Sequence, residues 1–146
     1  MRRHDYLRPL SREHHQTLRL ARDLQRSDYD AVRLPYRLQG EAVALTHHFA
    51  EEEKCFAGLV EGLPDGHPIE ALLDRMHREH RAISAMIEML TALVQSVDQT
   101  NDQITYQTLG QLLAEHIAFE ERCLFPALQD CCLVLETAHA RRGHDS

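Results

Sequence analysis

No stretch of this chain approaches the roughly 18 apolar residues that a membrane-spanning helix requires, and no charged-then-apolar leader opens it. Neither a membrane span nor a signal peptide is therefore expected, and the expected compartment is the cytoplasm. Lysine and arginine form no dominant face: the longest basic runs are Arg2-Arg3 and Arg141-Arg142, in a chain of net charge −7. That balance argues against nucleic acid as a partner, because phosphate neutralisation needs clustered cations. Cysteine is sparse as well. Cys55, Cys123, Cys131 and Cys132 are too few for a disulfide scaffold and lack the paired CxxC spacing of a zinc ribbon, so reduced thiols are expected. The Val/Ile/Thr alternation of strands is absent, which excludes a sheet. Glycine and proline gather in one place, the stretch from Glu61 to Pro68, with a second polar break from Ser96 to Thr105 and a shorter one at Ser27 to Asp30.

What is present fits one soluble domain. A chain of 146 residues, 43% of them apolar, buries about 70% of the surface that its unfolded form exposes. It needs neither disulfide nor metal merely to hold a core, so a metal would serve function as well. Between the breaks lie four segments of helical period. The first runs over about 11–26, with Ser11 as candidate N-cap and an apolar stripe of Leu18, Leu20, Ala21 and Leu24. The second runs over about 34–60 with Pro35 in its first turn, the third over about 68–97, and the fourth over about 102–128. A weaker fifth helix is expected around Leu133 to Arg141. The fold class expected is all-α, an antiparallel up-down four-helix bundle with that short C-terminal addition. Such bundles commonly build metal or cofactor sites in their interiors, although periodicity alone favours a plain apolar core.

Histidine is the anomaly, at 11 residues, more than phenylalanine and tyrosine together. Sliding the chain along itself places those histidines in register. Arg12-Glu13-His14 recurs as Arg78-Glu79-His80, 66 residues on, and the run from His48 to Cys55 recurs from His116 to Cys123, 68 residues on. The change in offset falls between helices, where loop length is free to vary. Each half thus supplies one helix with a histidine and a second with His-x-x-x-Glu.

Residues four apart on a helix lie about 40° apart around the axis and about 6 Å along it. His48 and Glu52 therefore share a face, as do His116 and Glu120, and each pair can reach a common metal. One His-x-x-x-Glu is expected by chance in a chain so rich in both residues; two at repeat-equivalent positions carry far more weight. Imidazole suits iron, zinc, copper or nickel, and a carboxylate can bridge two cations with its two oxygens. Four or five histidines with two glutamates describe a two-metal centre, with iron or zinc the candidates and the all-oxygen metals magnesium and calcium disfavoured.

The residues Arg-Glu-His14, His48-Phe-Ala-Glu-Glu52, Arg-Glu-His80 and His116-Ile-Ala-Phe-Glu120-Glu-Arg-Cys-Leu-Phe-Pro126 together resemble the hemerythrin family in its HHE cation-binding branch, over about 7–128. The resemblance implies two non-haem Fe ions bridged by two carboxylates and a solvent-derived oxo or hydroxo oxygen, handling dioxygen, nitric oxide or iron itself. It places terminal ligands at His14, His48, His80 and His116 and bridges at Glu52 and Glu120. The family often has a fifth histidine four residues before the third-helix ligand, where this chain has Met76; the extra histidine here, His77, lies three residues before His80. His77 is taken as a seventh metal residue that would break the twofold and leave the other metal an open position. Its repeat counterpart is Ser11, which cannot serve as such a ligand.

The neighbours are read as follows. His15 and His47 point about 100° from adjacent ligands and are expected at the surface or behind the ligands; His4, His67, His139 and His144 are expected in solvent. Glu51, Glu53 and Glu121 read as a solvated face, with Glu51 a spare oxygen ligand should His77 not bind. Glu13 and Glu79 either orient imidazoles, since a metal-bound histidine usually donates its other N–H, or face solvent. Phe49, Phe119 and Phe125 are expected to wall the centre. Cys55 and Cys123, seven residues beyond a ligand, fall within about 20° of the ligand face; both are expected to point inward, inert unless oxidation or metal loss joins them, with Cys131 and Cys132 the reactive pair. Since the chain shows no further domain for an electron donor, nucleotide or DNA, a module that binds or senses dioxygen or a related small ligand, free or as a homo-oligomer, is expected. The alternatives are a di-iron enzyme acting on nitric oxide, peroxide or damaged iron centres, and a zinc-binding structural protein.

Overall fold

The computed structural model describes residues 3, 5–26, 30, 32–93 and 102–131. They form α1 (Arg8–Gln25), α2 (Arg33–Leu59), α3 (Ile69–Leu93) and α4 (Asp102–Phe119), and α4 runs on through a π-helical turn at Glu120–Leu124 into further helix over 125–131. There is no strand among the described residues, and the fifth helix expected around Leu133 lies outside them.

Local chemistry sets the ends. The first helix starts three residues before the expected cap, because Pro9 is pre-set for a first turn, and Ser11 lies inside the helix with its N–H on the Leu7 carbonyl at 2.9 Å. Asp30 performs the capping ahead of α2: its carboxylate accepts the N–H groups of Val32 and Arg33, both at 2.9 Å. The α2–α3 turn passes through Gly66 at φ 80°, a left-handed conformation that glycine adopts without a Cβ penalty. There Glu70 reaches back to the Gly66 N–H at 3.1 Å, and His67 Nδ1 accepts the N–H of Ile69, also at 3.1 Å. His67 is thus tied into the turn.

Each helix packs against its two neighbours in a ring, α1 on α2, α2 on α3, α3 on α4 and α4 on α1. One core cluster combines the later part of α1 (Leu20, Leu24) with the earlier part of α2 (Leu38, Leu45), and likewise Ile83 and Leu90 of α3 with Leu109 and Leu113 of α4. The second cluster takes the opposite ends: Leu10, Phe56, Met76 and Leu124. That exchange of ends is what an antiparallel up-down bundle produces, as the periodicity predicts. Met76 is fully buried in the second cluster, so the position is core packing. Between the clusters, each helix contributes polar residues to one buried layer.

α1 and α4 approach closely at Gly110. A Cβ there would lie 2.7 Å from the Ala21 carbonyl oxygen and 3.0 Å from Leu24 Cβ, so only glycine lets the first and last helices meet at this depth. Among the described residues no helix is long and apolar enough to cross a membrane.

Candidate metal centre

The buried layer consists of His14 from α1, His48 and Glu52 from α2, His80 from α3, and His116 and Glu120 from the end of α4, each at most 3% exposed. They form two groups of four, His14, His48, Glu52 and Glu120 on one side and His80, His116, Glu52 and Glu120 on the other. Within each group the donor atoms lie within 4.8 Å of one another, and both carboxylates belong to both groups. His14 Nε2 is 3.1 Å from Glu120 Oε1 and 3.4 Å from Glu52 Oε2; His48 Nε2 and His80 Nε2 are 3.3 and 3.1 Å from Glu52 Oε1; His116 Nε2 is 3.1 Å from Glu120 Oε1.

A layer of imidazoles and carboxylates between two apolar clusters is costly unless every polar atom is satisfied. Here several are not. His48 Nε2, His116 Nε2, Glu52 Oε2 and Glu120 Oε2 are buried and have no hydrogen-bond partner. Four inward polar atoms without partners in a set of imidazoles and carboxylates suit a divalent transition metal, which takes these ligand types. The charges within the layer adjust to one another. Burial alone would push His14 down, but hydrogen bonds to Glu120, Glu121 and Glu52 prevail and raise its pKa to about 11. Burial is likewise outweighed at His116, raised to about 9 by Glu120 and Glu79. At Glu52 burial acts upward, yet the bonds to His14, His48 and His80 hold the carboxylate well below its ordinary range.

Behind the imidazoles stands an outer ring of carboxylates. His14 Nδ1 donates to Glu121 at 2.8 Å, His48 Nδ1 to Glu13 at 2.7 Å and His116 Nδ1 to Glu79 at 2.8 Å, while His80 Nδ1 is 3.5 Å from Glu53. The first three bonds fix their rings with Nε2 turned inward. Glu13 and Glu79 thus take the orienting alternative. Glu53 and Glu121 depart from the solvated face read for them, because the helix next door brings an imidazole over each; the signal in the chain was the doublet Glu52-Glu53 repeated as Glu120-Glu121. Glu51 is exposed and 3.9 Å from exposed His47, away from the centre, and His15 is exposed too.

His77 is not brought into either group. Three residues before His80, it is turned about 60° from that ligand; its side chain is 41% exposed and its Nδ1 donates to Glu53 at 2.8 Å. Ser11, its repeat counterpart, does the same in the other half, its hydroxyl donating to Glu121, where Arg3 adds a bond at 2.9 Å. The two positions are matched after all, as holders of an outer carboxylate.

Phe49 stacks on His80 at 4.0 Å between ring centroids, and Phe125 on His14 at 5.2 Å. Phe119 is buried in the second cluster, with Arg75 over its ring at 4.0 Å.

The π turn that follows Glu120 accounts for a reversal among the thiols. Pro126 has no N–H, and its ring would clash with the Arg122 carbonyl four residues back. The chain widens there, with the Phe125 N–H reaching Glu120 O, and the turn holds about one residue more than an α turn. Cys123 is therefore rotated off the ligand face and exposed, Cys55 is half-buried, and Cys131 is buried. Burial pushes the Cys55 and Cys131 thiols upward, away from the reactive thiolate. Cys132 lies outside the described residues. In a thiol-labelling time course on the native protein, Cys123 is expected to be modified well before Cys55 and Cys131; equal rates for the three would contradict the turn.

The family model for the hemerythrin HHE cation binding domain matches residues 4–128. No curated protein and no solved structure matches the chain.

Proposed function

Because the chain belongs to the hemerythrin HHE cation-binding family, we propose that its buried layer holds two irons and that the protein binds or senses dioxygen or a related small ligand such as nitric oxide. The observation that carries this reading is the sharing of Glu52 and Glu120 by both groups of four. One metal would take His14 and His48 and the other His80 and His116, with the two glutamates spanning the pair. Bound there, the irons would supply reversible one-electron chemistry and coordination positions for a diatomic ligand.

The chain's own residues account for the rest. Two imidazoles and two carboxylate oxygens per position leave room for a further small ligand. The apolar clusters on both sides and the rings of Phe49 and Phe125 restrict water around the layer, which tunes the redox behaviour of a metal placed in it. The outer carboxylates keep the imidazoles of His14, His48 and His116 aimed inward and increase their basicity as donors.

Metal analysis of anaerobically purified protein, with visible spectra before and after admitting air, tests the proposal. Two irons per chain and a new near-ultraviolet and visible absorption on exposure to air are expected. A colourless protein carrying zinc, or an iron protein whose spectrum ignores air and nitric oxide, would refute it.

A further inference from the structure

The two halves of the centre match ligand for ligand, but not in what stands behind the ligands. In the first half, Glu121 is held from three sides, by Ser11 and His14 on one oxygen and Arg3 on the other, and the His14 bond is short. In the second half, the matching carboxylate Glu53 has His77 in place of serine. The larger imidazole takes Glu53 Oε1 at 2.8 Å, and His80 Nδ1 is left 3.5 Å from the same oxygen. His80 Nδ1 is buried and unpartnered, the only outward-facing ring nitrogen of the four ligands in that condition among the described residues.

Solvent also reaches this arm. A groove of about 360 Å³ between α2 and α3 is lined by Phe49, Glu53, His80 and Ser84. A groove of about 250 Å³ between α1 and α2 touches His48, but there the Nδ1–Glu13 bond is 2.7 Å, so that ring is still fixed. Only at His80 do a slack outer bond and an open groove coincide.

We propose that the two metal positions are inequivalent, that the His80–His116 position is the one that exchanges metal and admits small ligands first, and that His77 is the positioning residue responsible. An imidazole without its outer acceptor is a less basic ligand, and His80 is oriented by its stacking on Phe49. Its metal bond opens more often, and the α2–α3 groove is where an incoming ligand arrives. Serine in place of His77 would leave Glu53 to His80, as Ser11 leaves Glu121 to His14. This inference rests on the two-metal reading above.

The test is iron release from protein loaded anaerobically with iron(II) and then challenged with an excess of a colour-forming iron(II) chelator. Two phases of equal amplitude are expected, one iron each. His77→Ser should slow the fast phase by about 10-fold, the scale on which outer acceptors alter metal affinity, and leave the slow phase alone. Ser11→His should instead accelerate the slow phase by a similar factor. His77 is partly exposed, so its serine variant is expected to fold, and that variant alone decides. Uptake of a single iron would overturn the two-metal reading together with this inference. Two irons released at one common rate, or a fast phase that His77→Ser leaves unchanged, would overturn the inference alone.

Discussion

Replacing Glu52 by alanine should cost the centre at least one of the two metals proposed for it and weaken the other by 100-fold or more, and Glu120→Ala should do the same. Each carboxylate is fully buried and belongs to both groups of donors, so its loss removes one oxygen from each metal position and leaves uncompensated positive charge in an apolar interior. A buried charge stripped of its partner costs about 3–5 kcal/mol, which corresponds to more than two decades in a dissociation constant. Glutamine at either position keeps the volume but offers one acceptor oxygen, and should behave nearly as badly. Glu51→Ala, an exposed neighbour, should leave metal content unchanged. Metal stoichiometry by elemental analysis decides the matter: two metals retained in both alanine variants would mean that these residues do not bridge.

The second large effect lies a turn and a half away from the centre, and concerns stability rather than metal. Gly110→Val should destabilise the fold by about 3 kcal/mol, toward the upper end for overpacking, and lower Tm by roughly 6–12 °C for a domain of this size. The first atom met by the new side chain is the Ala21 backbone oxygen, at 2.7 Å from the Cβ alone, and backbone cannot swing aside as the end of a side chain can. α1 and α4 would have to separate, which moves His14 relative to Glu120. Metal affinity should therefore fall along with Tm. Gly40→Val, with nothing near its Cβ, is the comparison on α2, and thermal unfolding followed by circular dichroism reads both. Equal losses in the two variants would show that the close approach at Gly110 is not responsible, since valine has the better helix propensity at both positions.

Much of this was readable along the chain. The four helices follow from apolar period, because their stripes are wide and their breaks rich in glycine and proline. The six residues of the buried layer follow from the repeat: two halves that agree at His and Glu with the same spacing inside each helix present those residues to one another once the bundle closes. What failed to read out depends on the neighbouring helix. A helical wheel sends Glu53 and Glu121 about 100° from their bridging neighbours and calls them solvated, since it cannot know that His80 and His14 stand alongside. It brought His77 toward the metal for the same reason, having no account of the carboxylate that intercepts it. Ser11 looked like a cap because serine before an apolar stripe usually is one, but Pro9 moves the helix start ahead of it. Cys123 was placed on the inner face by assuming 3.6 residues per turn throughout. Pro126 breaks that assumption four residues upstream of itself, and that much was visible in the sequence.

The packing of the first helix against the last also sets the order in which the centre can be built. His14 and Glu120 are 106 residues apart, and at synthesis rates of about 5–20 residues per second the histidine emerges roughly 5–20 s before its carboxylate. Over that interval the nascent chain offers His14, His48 and Glu52, then His80, as a partial set with no closing wall. A loose cluster of imidazoles binds cations in the general order of their affinities, with copper and zinc ahead of iron. Any discrimination among metals by the layer therefore depends on α4 docked against Ala21 and Leu24 of α1.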